Sequence, residues 1–149
     1  MNQRTKGILI FVGLVSLFIY SFYIGADPPN LKMLKNAKYT IGTARSEYYI
    51  DRGNGRGFDI EFFKDNNAII THQNGEFIFG RKYLVAYDST NIKNGYIVLD
   101  KYDVTDSLSK YDINKKSGYY KQGWSLEKIP FQCDKSDIEY DLKMAITNQ

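Results

Sequence analysis

Among its 149 residues the chain has one cysteine, one histidine and three prolines. The single cysteine, Cys133, excludes an intramolecular disulfide. With His72 as the only histidine, a metal cluster would need several carboxylates, and a Cys/His nucleophile pair would need a third orienting group. We therefore interpret His72 as a strand-edge residue and Cys133 as a half-buried structural residue. We predict no metal, no cofactor and no enzymatic activity.

Residues 27–149, without the N-terminal region, have almost no net charge. Removing Arg4 and Lys6 leaves 18 of the 20 basic residues to balance all 17 acidic ones. Without a basic stripe, residues 27–149 give no support for nucleic-acid binding. Asp59 and Glu61 alternate with apolar residues and should point outward from one strand, which is not the facing pair of carboxylates that a glycosidase needs.

Charge is absent altogether from residues 7–26, which read GILIFVGLVSLFIYSFYIGA. Twenty residues at 1.5 Å each cross a hydrocarbon core about 30 Å thick, so the run predicts a transmembrane helix after a basic tail, residues 1–6. Tyr20 and Tyr23 are placed where aromatic rings favour the headgroup level. The predicted span includes Gly7, Ile8, Phe11, Leu14, Leu17, Tyr20, Tyr23 and Ala26.

A cleaved secretory signal ending at Ala26 is the alternative to this anchor. The apolar run is longer than is usual for a signal peptide, and bulky Ile24 occupies a position where a small residue is preferred. Positive charge nearly ties across the span. The short basic tail is typical of a signal anchor, so we predict a single-pass protein in the lipid bilayer with its large domain on the extracytoplasmic side.

Residues 27–38 form a predicted juxtamembrane linker. Its pattern suits one amphipathic turn of helix with Leu31 and Leu34 inward and Lys32, Lys35 and Lys38 towards phosphate headgroups. Between this lipid contact and a solvated spacer, we favour the spacer.

From Tyr39 the pattern becomes that of a sheet. Thirteen tyrosines and nine phenylalanines favour strands, and 58–62 (FDIEF) alternates as a half-buried antiparallel strand does. Asn-Gly pairs at Asn54, Asn74 and Asn94 predict type I′ hairpins. We therefore predict a mainly β domain over 39–104, a meander that curls into a small antiparallel barrel or sandwich. Strands are expected over 39–50, 58–62, 68–72, 76–79, 81–87 and 96–99.

Residues 105–149 form a predicted loop-rich extension that ends in a helix. The stretch Ser136 to Glu139 has capping-box spacing, and an apolar face follows it. That face comprises Ile138, Leu142, Ala145 and Ile146.

Two groups are candidate binding residues. Arg52 and Arg56 flank glycines that could cradle an anion, but the stretch lacks the third glycine of a dinucleotide loop, so we favour a plain hairpin tip and keep the anion site as a weak candidate. Tyr119, Tyr120 and Trp124 are the candidate interaction surface, because aromatic anchors dominate binding hot spots. A lone Trp in a small β domain is more often part of the core, so we favour a core or loop-pinning role over this surface.

The basic tail, the single span, the strand opening at 38–43 (KYTIGT) and the later segment 82–88 (KYLVAYD) with Asn91 resemble a loose group of small uncharacterised bacterial membrane-anchored β-domain proteins. The likeness covers residues 7–100. It implies an anchored accessory domain and no particular reaction.

The function predicted from the sequence is a protein-interaction or envelope accessory module held by one membrane span, with an unknown protein partner. The first alternative is an anchored or secreted ligand-binding or immunity-type inhibitor protein. The second is a hydrolase that acts on an envelope polymer.

Overall fold

A computed structural model describes residues 29–110 and 123–148. In these residues an antiparallel sheet of six strands curls into a half-barrel, with short helices before and after it. The predicted mainly β class and the C-terminal helix are confirmed, and the closed barrel or sandwich is replaced by a half-barrel. The elements are α1 (Leu31–Asn36), β1 (Ala37–Ala44), β2 (Tyr49–Asp51), β3 (Gly55–Lys64), β4 (Asn67–Gln73), β5 (Lys82–Asp88), β6 (Tyr96–Asp103), α2 (Thr105–Lys110) and α3 (Lys135–Thr147).

The strand order corrects the predicted meander. Strand β1 lies in the middle of the sheet, where it pairs with β5 on one side and with β3 on the other. Strand β4 pairs with the far side of β3, and β6 pairs with β5. The long connection 74–81 carries the chain from β4 across to β5, so these consecutive strands are not neighbours.

A side chain bridges the open seam between β4 and β6. The amide of Gln73, at the end of β4, donates to the carbonyl oxygen of Val98 over 2.8 Å and accepts from the Val98 N–H over 3.0 Å. This amide therefore takes the place of one backbone rung between the two strands.

The two faces of the sheet bury separate apolar clusters. Phe58, Ile60 and Phe62 of β3 are buried together, as their alternation predicted, and they share a cluster with Val85 and Val98. The other face is covered by the helices. Its cluster includes Tyr39, Ile41, Leu84, Ala86, Ile97, Leu99, Leu108, Ile138 and Leu142.

The tight hairpin of this sheet does not lie at an Asn-Gly pair. Asp65 and Asn66 have positive φ values of 51° and 64°, so they form the two-residue turn between β3 and β4. Of the pair Asn54 and Gly55, only the glycine has positive φ. A type I′ turn needs positive φ at both residues, so the prediction of three such hairpins is wrong.

Three stretches differ from the expected element boundaries. The first predicted strand is interrupted at 45–48, and Tyr49 opens a separate strand. Residues 76–79 form a loop, because the backbone N–H of Ile78 donates to the Tyr83 hydroxyl and Gly80 turns the chain at φ 80°. Helix α2 occupies part of the region predicted to be loops.

The helices confirm part of the predicted apolar faces. In α3, Ile138, Leu142 and Ile146 are buried and Ala145 is partly buried, as expected. Its N-cap is Asp134, which accepts from the N–H groups of Ser136 and Asp137, so the predicted capping box is wrong.

Helix α1 corrects one orientation expected for the linker. Leu34 packs against the core as predicted, and Met33 is fully buried beside it. Leu31 is instead 60% exposed. It lies on the opposite side of the helix from Met33, which faces the core.

The predicted span, residues 7–26, lies outside the described residues. Within the part of the chain that the structure describes, no helix is long and apolar enough to cross a membrane.

Candidate functional site

Four of the exposed large apolar side chains lie on segments at one end of the half-barrel. Ile50 on β2 is 64% exposed, and Ile78 and Phe79 in the β4–β5 connection are 62% and 59% exposed. Tyr48, just before β2, is half exposed. We call Tyr48, Ile50, Ile78 and Phe79 the distal tip. Large apolar residues exposed together in this way mark binding surfaces more often than single exposed ones do.

Stacked aromatic rings support the distal tip from below. The Tyr48 ring packs edge-on against Phe58, and Phe58 packs against Phe77. Phe77 packs in turn against Tyr83, whose hydroxyl holds the backbone of Ile78 at 2.8 Å. The tip is therefore two short segments fixed on buried rings.

A polar network holds strand β2 from the opposite face. The Tyr49 hydroxyl donates to the Asp59 carboxylate, and Nδ1 of His72 contacts the same carboxylate at 2.9 Å. The hydrogen bond to Asp59 raises the pKa of Tyr49. The His72 side chain is only 5% exposed, and its Nε2 is buried without a partner. Because the Tyr49 ring packs edge-on to the imidazole, the network acts as a clasp between β2, β3 and β4.

Asp59 and Glu61 do not form a pair of free carboxylates. They share one face as predicted, but Asp59 binds Tyr49 and His72 while Glu61 accepts from the guanidinium of Arg45. Sequence spacing showed the shared face, whereas these partners come from segments that only the fold brings together.

The distal tip lies at the opposite end of β1 from Pro29. The N–H of Gly80 binds the carbonyl oxygen of Ala44, the last residue of β1. At the other end Ala37 pairs with Asp88, and Pro29 lies against Gly95. Eight extended residues separate these ends by about 23 Å.

The two candidate arginines lie on the β2–β3 hairpin. Arg52 is exposed in its turn, and Arg56 stands across from Ile50 in the strand register. The carboxylate of Asp51 accepts from the N–H of Gly53 and the amide of Asn54, so an acidic group already occupies this turn. An anion site here stays a prediction.

The candidate aromatic surface is described only in part, because Tyr119 and Tyr120 lie outside the described residues. Trp124 is partly buried, packs edge-on against Phe131 and pairs its backbone with Tyr39 over 2.8 Å in both directions. This placement favours the core alternative for Trp124 over an exposed anchor.

Cys133 and His72 lie in different parts of the fold. Cys133 packs against the helix-covered cluster, and burial raises the pKa of its thiol. His72 belongs to the clasp on β4.

A groove of about 280 Å³ runs between β6 and α3. Lys101 and Tyr102 both bind the carboxylate of Asp141 on its wall, at 3.0 and 2.9 Å, and Met144 contributes an apolar side. No group of three or more metal-binding side chains occurs among residues 29–110 and 123–148.

The chain matches no protein-family model, no curated protein and no solved structure.

Sequence reasoning missed the distal tip because its residues sat in predicted strands. Residues 76–79 (EFIF) read as a strand, in which Phe77 and Phe79 would share a face. The available signal was Gly80, which ends the run at a positive φ of 80°, next to exposed Ile78 and Phe79.

Proposed function

We propose that the protein is a single-pass, membrane-anchored β domain that binds another protein of the bacterial cell envelope through its distal tip. The observation that carries the proposal is the cluster of exposed Tyr48, Ile50, Ile78 and Phe79 at the end of the sheet away from Pro29. Aromatic and aliphatic anchors of this kind supply most of the energy in protein interfaces.

Two features support the anchored arrangement. The uncharged run 7–26 is long enough to span a bilayer and joins the domain at the end where Pro29 lies. A tip about 23 Å further out would then face away from the anchoring membrane. Proteins, and not lipids, are the partners that such a position favours.

The experiment is site-specific photocrosslinking of the full-length protein in bacterial cells. Phe79 is replaced by p-benzoylphenylalanine, and Tyr140, an exposed aromatic residue on α3, is replaced in the control. We expect one discrete adduct from position 79 and none of that mass from position 140. Adding Ile50→Ser and Ile78→Ser should reduce the adduct about tenfold or more, because both side chains are mostly exposed and belong to the binding surface.

Three results would contradict the proposal: no adduct at position 79, the same adduct at position 140, or an adduct unaffected by the two serine substitutions. An adduct of twice the protein's own mass would show self-association instead.

The groove beside α3 favours the ligand-binding alternative as a second candidate. Its wall combines the Lys101–Asp141 pair with apolar Met144, which is the mixed lining of many small-molecule sites. Replacing Ala145 in its wall with Trp would fill the groove and abolish binding of a small ligand, while leaving crosslinking at position 79 intact.

A further inference from the structure

The end of the domain next to Pro29 carries an exposed basic surface. Leu31, Lys32 and Lys35 occupy one exposed side of α1, opposite buried Met33. Lys93 is exposed in the turn between β5 and β6. We call Leu31, Lys32, Lys35 and Lys93 the basal face. The spacing within α1 predicted part of it, whereas Lys93 comes from a strand connection almost sixty residues away.

The two segments of the basal face are fixed against each other. The Ser89 N–H and hydroxyl both donate to the carbonyl oxygen of Asn36, at 3.0 and 2.8 Å. Pro29 lies against Gly95 on the other side of the turn. The helix is held at its start by Asn30, whose side chain accepts from the N–H of Lys32. The described part of the linker, residues 29–38, is thus a folded part of the domain and not a solvated spacer.

The carboxylates described at this end have partners of their own. Asp88 is buried and accepts hydrogen bonds from Thr90, Asn91 and Asn94. Asp65 lies 3.6 Å from the ammonium group of Lys64. The ion pairs found in the described part of the chain do not involve Lys32, Lys35 or Lys93, whose side chains are exposed.

We propose that the basal face lies on the anionic phospholipid headgroups of the membrane in which residues 7–26 would be anchored; this rests on the anchor in the proposed function. The apolar run precedes Pro29 by only two residues, so the lysines would be able to reach the headgroups. Each basic residue near an anionic surface increases the affinity for it about fivefold. Leu31, 60% exposed beside them, supplies the apolar contact that inserts between headgroups.

This contact would fix the orientation of the β domain relative to the membrane. A single flexible connection would let the β domain tumble, whereas three lysines on two segments resist rotation. With the basal face on the membrane, the distal tip points away from it.

The test uses the full-length protein reconstituted in nanodiscs, with Cys133→Ala and a single new cysteine that carries a fluorophore. Lys93→Cys reports on the basal face, with Lys32 and Lys35 left to make the contact, and Phe79→Cys reports on the distal tip. The discs contain phosphatidylcholine with or without about a third of phosphatidylglycerol, plus a lipid with a nitroxide quencher on its headgroup. We expect strong quenching at position 93 only in the anionic discs, and none at position 79.

Charge reversal supplies the matched control. Lys32→Glu with Lys35→Glu should lower the ratio of membrane-bound to free basal face, measured by quenching at position 93, about tenfold or more. Arg52→Glu with Arg56→Glu makes the same change of charge at the far end and should have no effect. Circular dichroism and melting temperature check that each variant is folded.

The inference would be overturned if quenching at position 93 were the same with and without phosphatidylglycerol, or unchanged by the lysine reversal. The quenching would then come only from the short connection that holds the domain near the membrane. Absence of quenching at position 93 would overturn the inference as well. Crosslinking at position 79 would be unaffected by either result. Failure of the chain to remain in the nanodisc would contradict the anchor itself.

Discussion

Asp88 ends β5 with its side chain completely buried. One oxygen accepts from Thr90 and Asn91, and the other accepts from the side-chain amide of Asn94. Burial alone would raise its pKa, but these hydrogen bonds outweigh burial and hold the pKa at about 2. The residue thus organises the turn that carries Lys93 and adjoins α1.

We predict that Asp88→Asn destabilises the protein by about 2–3 kcal/mol. The new amide would present donors where the Asn94 amide already donates, and a buried group without a partner is costly. Urea denaturation followed by circular dichroism measures the change. Asp65→Asn, at an exposed turn residue, is the control and should stay within about 0.5 kcal/mol. Equal effects of the two substitutions would contradict this role for Asp88.

Asp88 also predicts a difference in acid stability. The pKa of Asp88 in the folded protein is below the ordinary value of 3.8. The contribution of Asp88 to the free energy of unfolding is therefore present above pH 3.8 and is lost as pH falls towards 2. The stability of the native protein should therefore fall more steeply than that of Asp88→Asn over this interval. Urea midpoints measured at intervals between pH 5 and pH 2 test this. Parallel curves for the two proteins would contradict it.

At the scale of elements, the close approach of β1, β3 and β5 depends on Gly42. A Cβ at this position would lie 2.7 Å from Cγ2 of Val85 and 2.8 Å from Cγ2 of Ile60, both in the cluster that includes Phe58 and Phe62. We predict that Gly42→Ala costs about 1–3 kcal/mol by overpacking. Gly53→Ala, which meets no atom within 4 Å, should be nearly neutral. Thermal unfolding of both variants compares them directly.

Strand β2 depends on few interactions and should open before the rest of the sheet. It pairs with β3 over three residues, and the Tyr49 hydroxyl adds its hydrogen bond to Asp59. We predict that Tyr49→Phe speeds amide exchange in the β2–β3 hairpin about fivefold, because one hydrogen bond contributes about 1 kcal/mol, with little change elsewhere. Tyr48→Phe is the matched control. Uniform acceleration over the whole sheet would contradict a local clasp.

The elements show which features the sequence could predict. Alternation in 58–62 located β3 and its buried face, and the 3.6-residue spacing located the buried side of α3, because both patterns are local. Strand order depends on which distant segments pair. Turn residues are local signals, so they could not predict the central position of β1. The distal tip and Lys93 were missed for the same reason, since exposure at one end of a sheet is a property of the assembled fold.

At the scale of the whole molecule, the two ends of the half-barrel differ in character. The end beside Pro29 presents lysines and Leu31, while the opposite end presents Tyr48, Ile50, Ile78 and Phe79. We interpret the first as the side facing lipid and the second as the side facing a protein. This arrangement requires residues 7–26 to remain attached and in the membrane.

The most direct test is therefore labelling of Phe79→Cys in the Cys133→Ala background with a membrane-impermeant maleimide. A new cysteine is preferable to Cys133, because burial raises the pKa of the native thiol and lowers its reactivity. Intact spheroplasts are labelled, and the intact mass of the membrane-fraction protein is recorded. The account predicts full-length protein carrying one label. A protein shortened by its first 26 residues, or one labelled only after lysis, would contradict it.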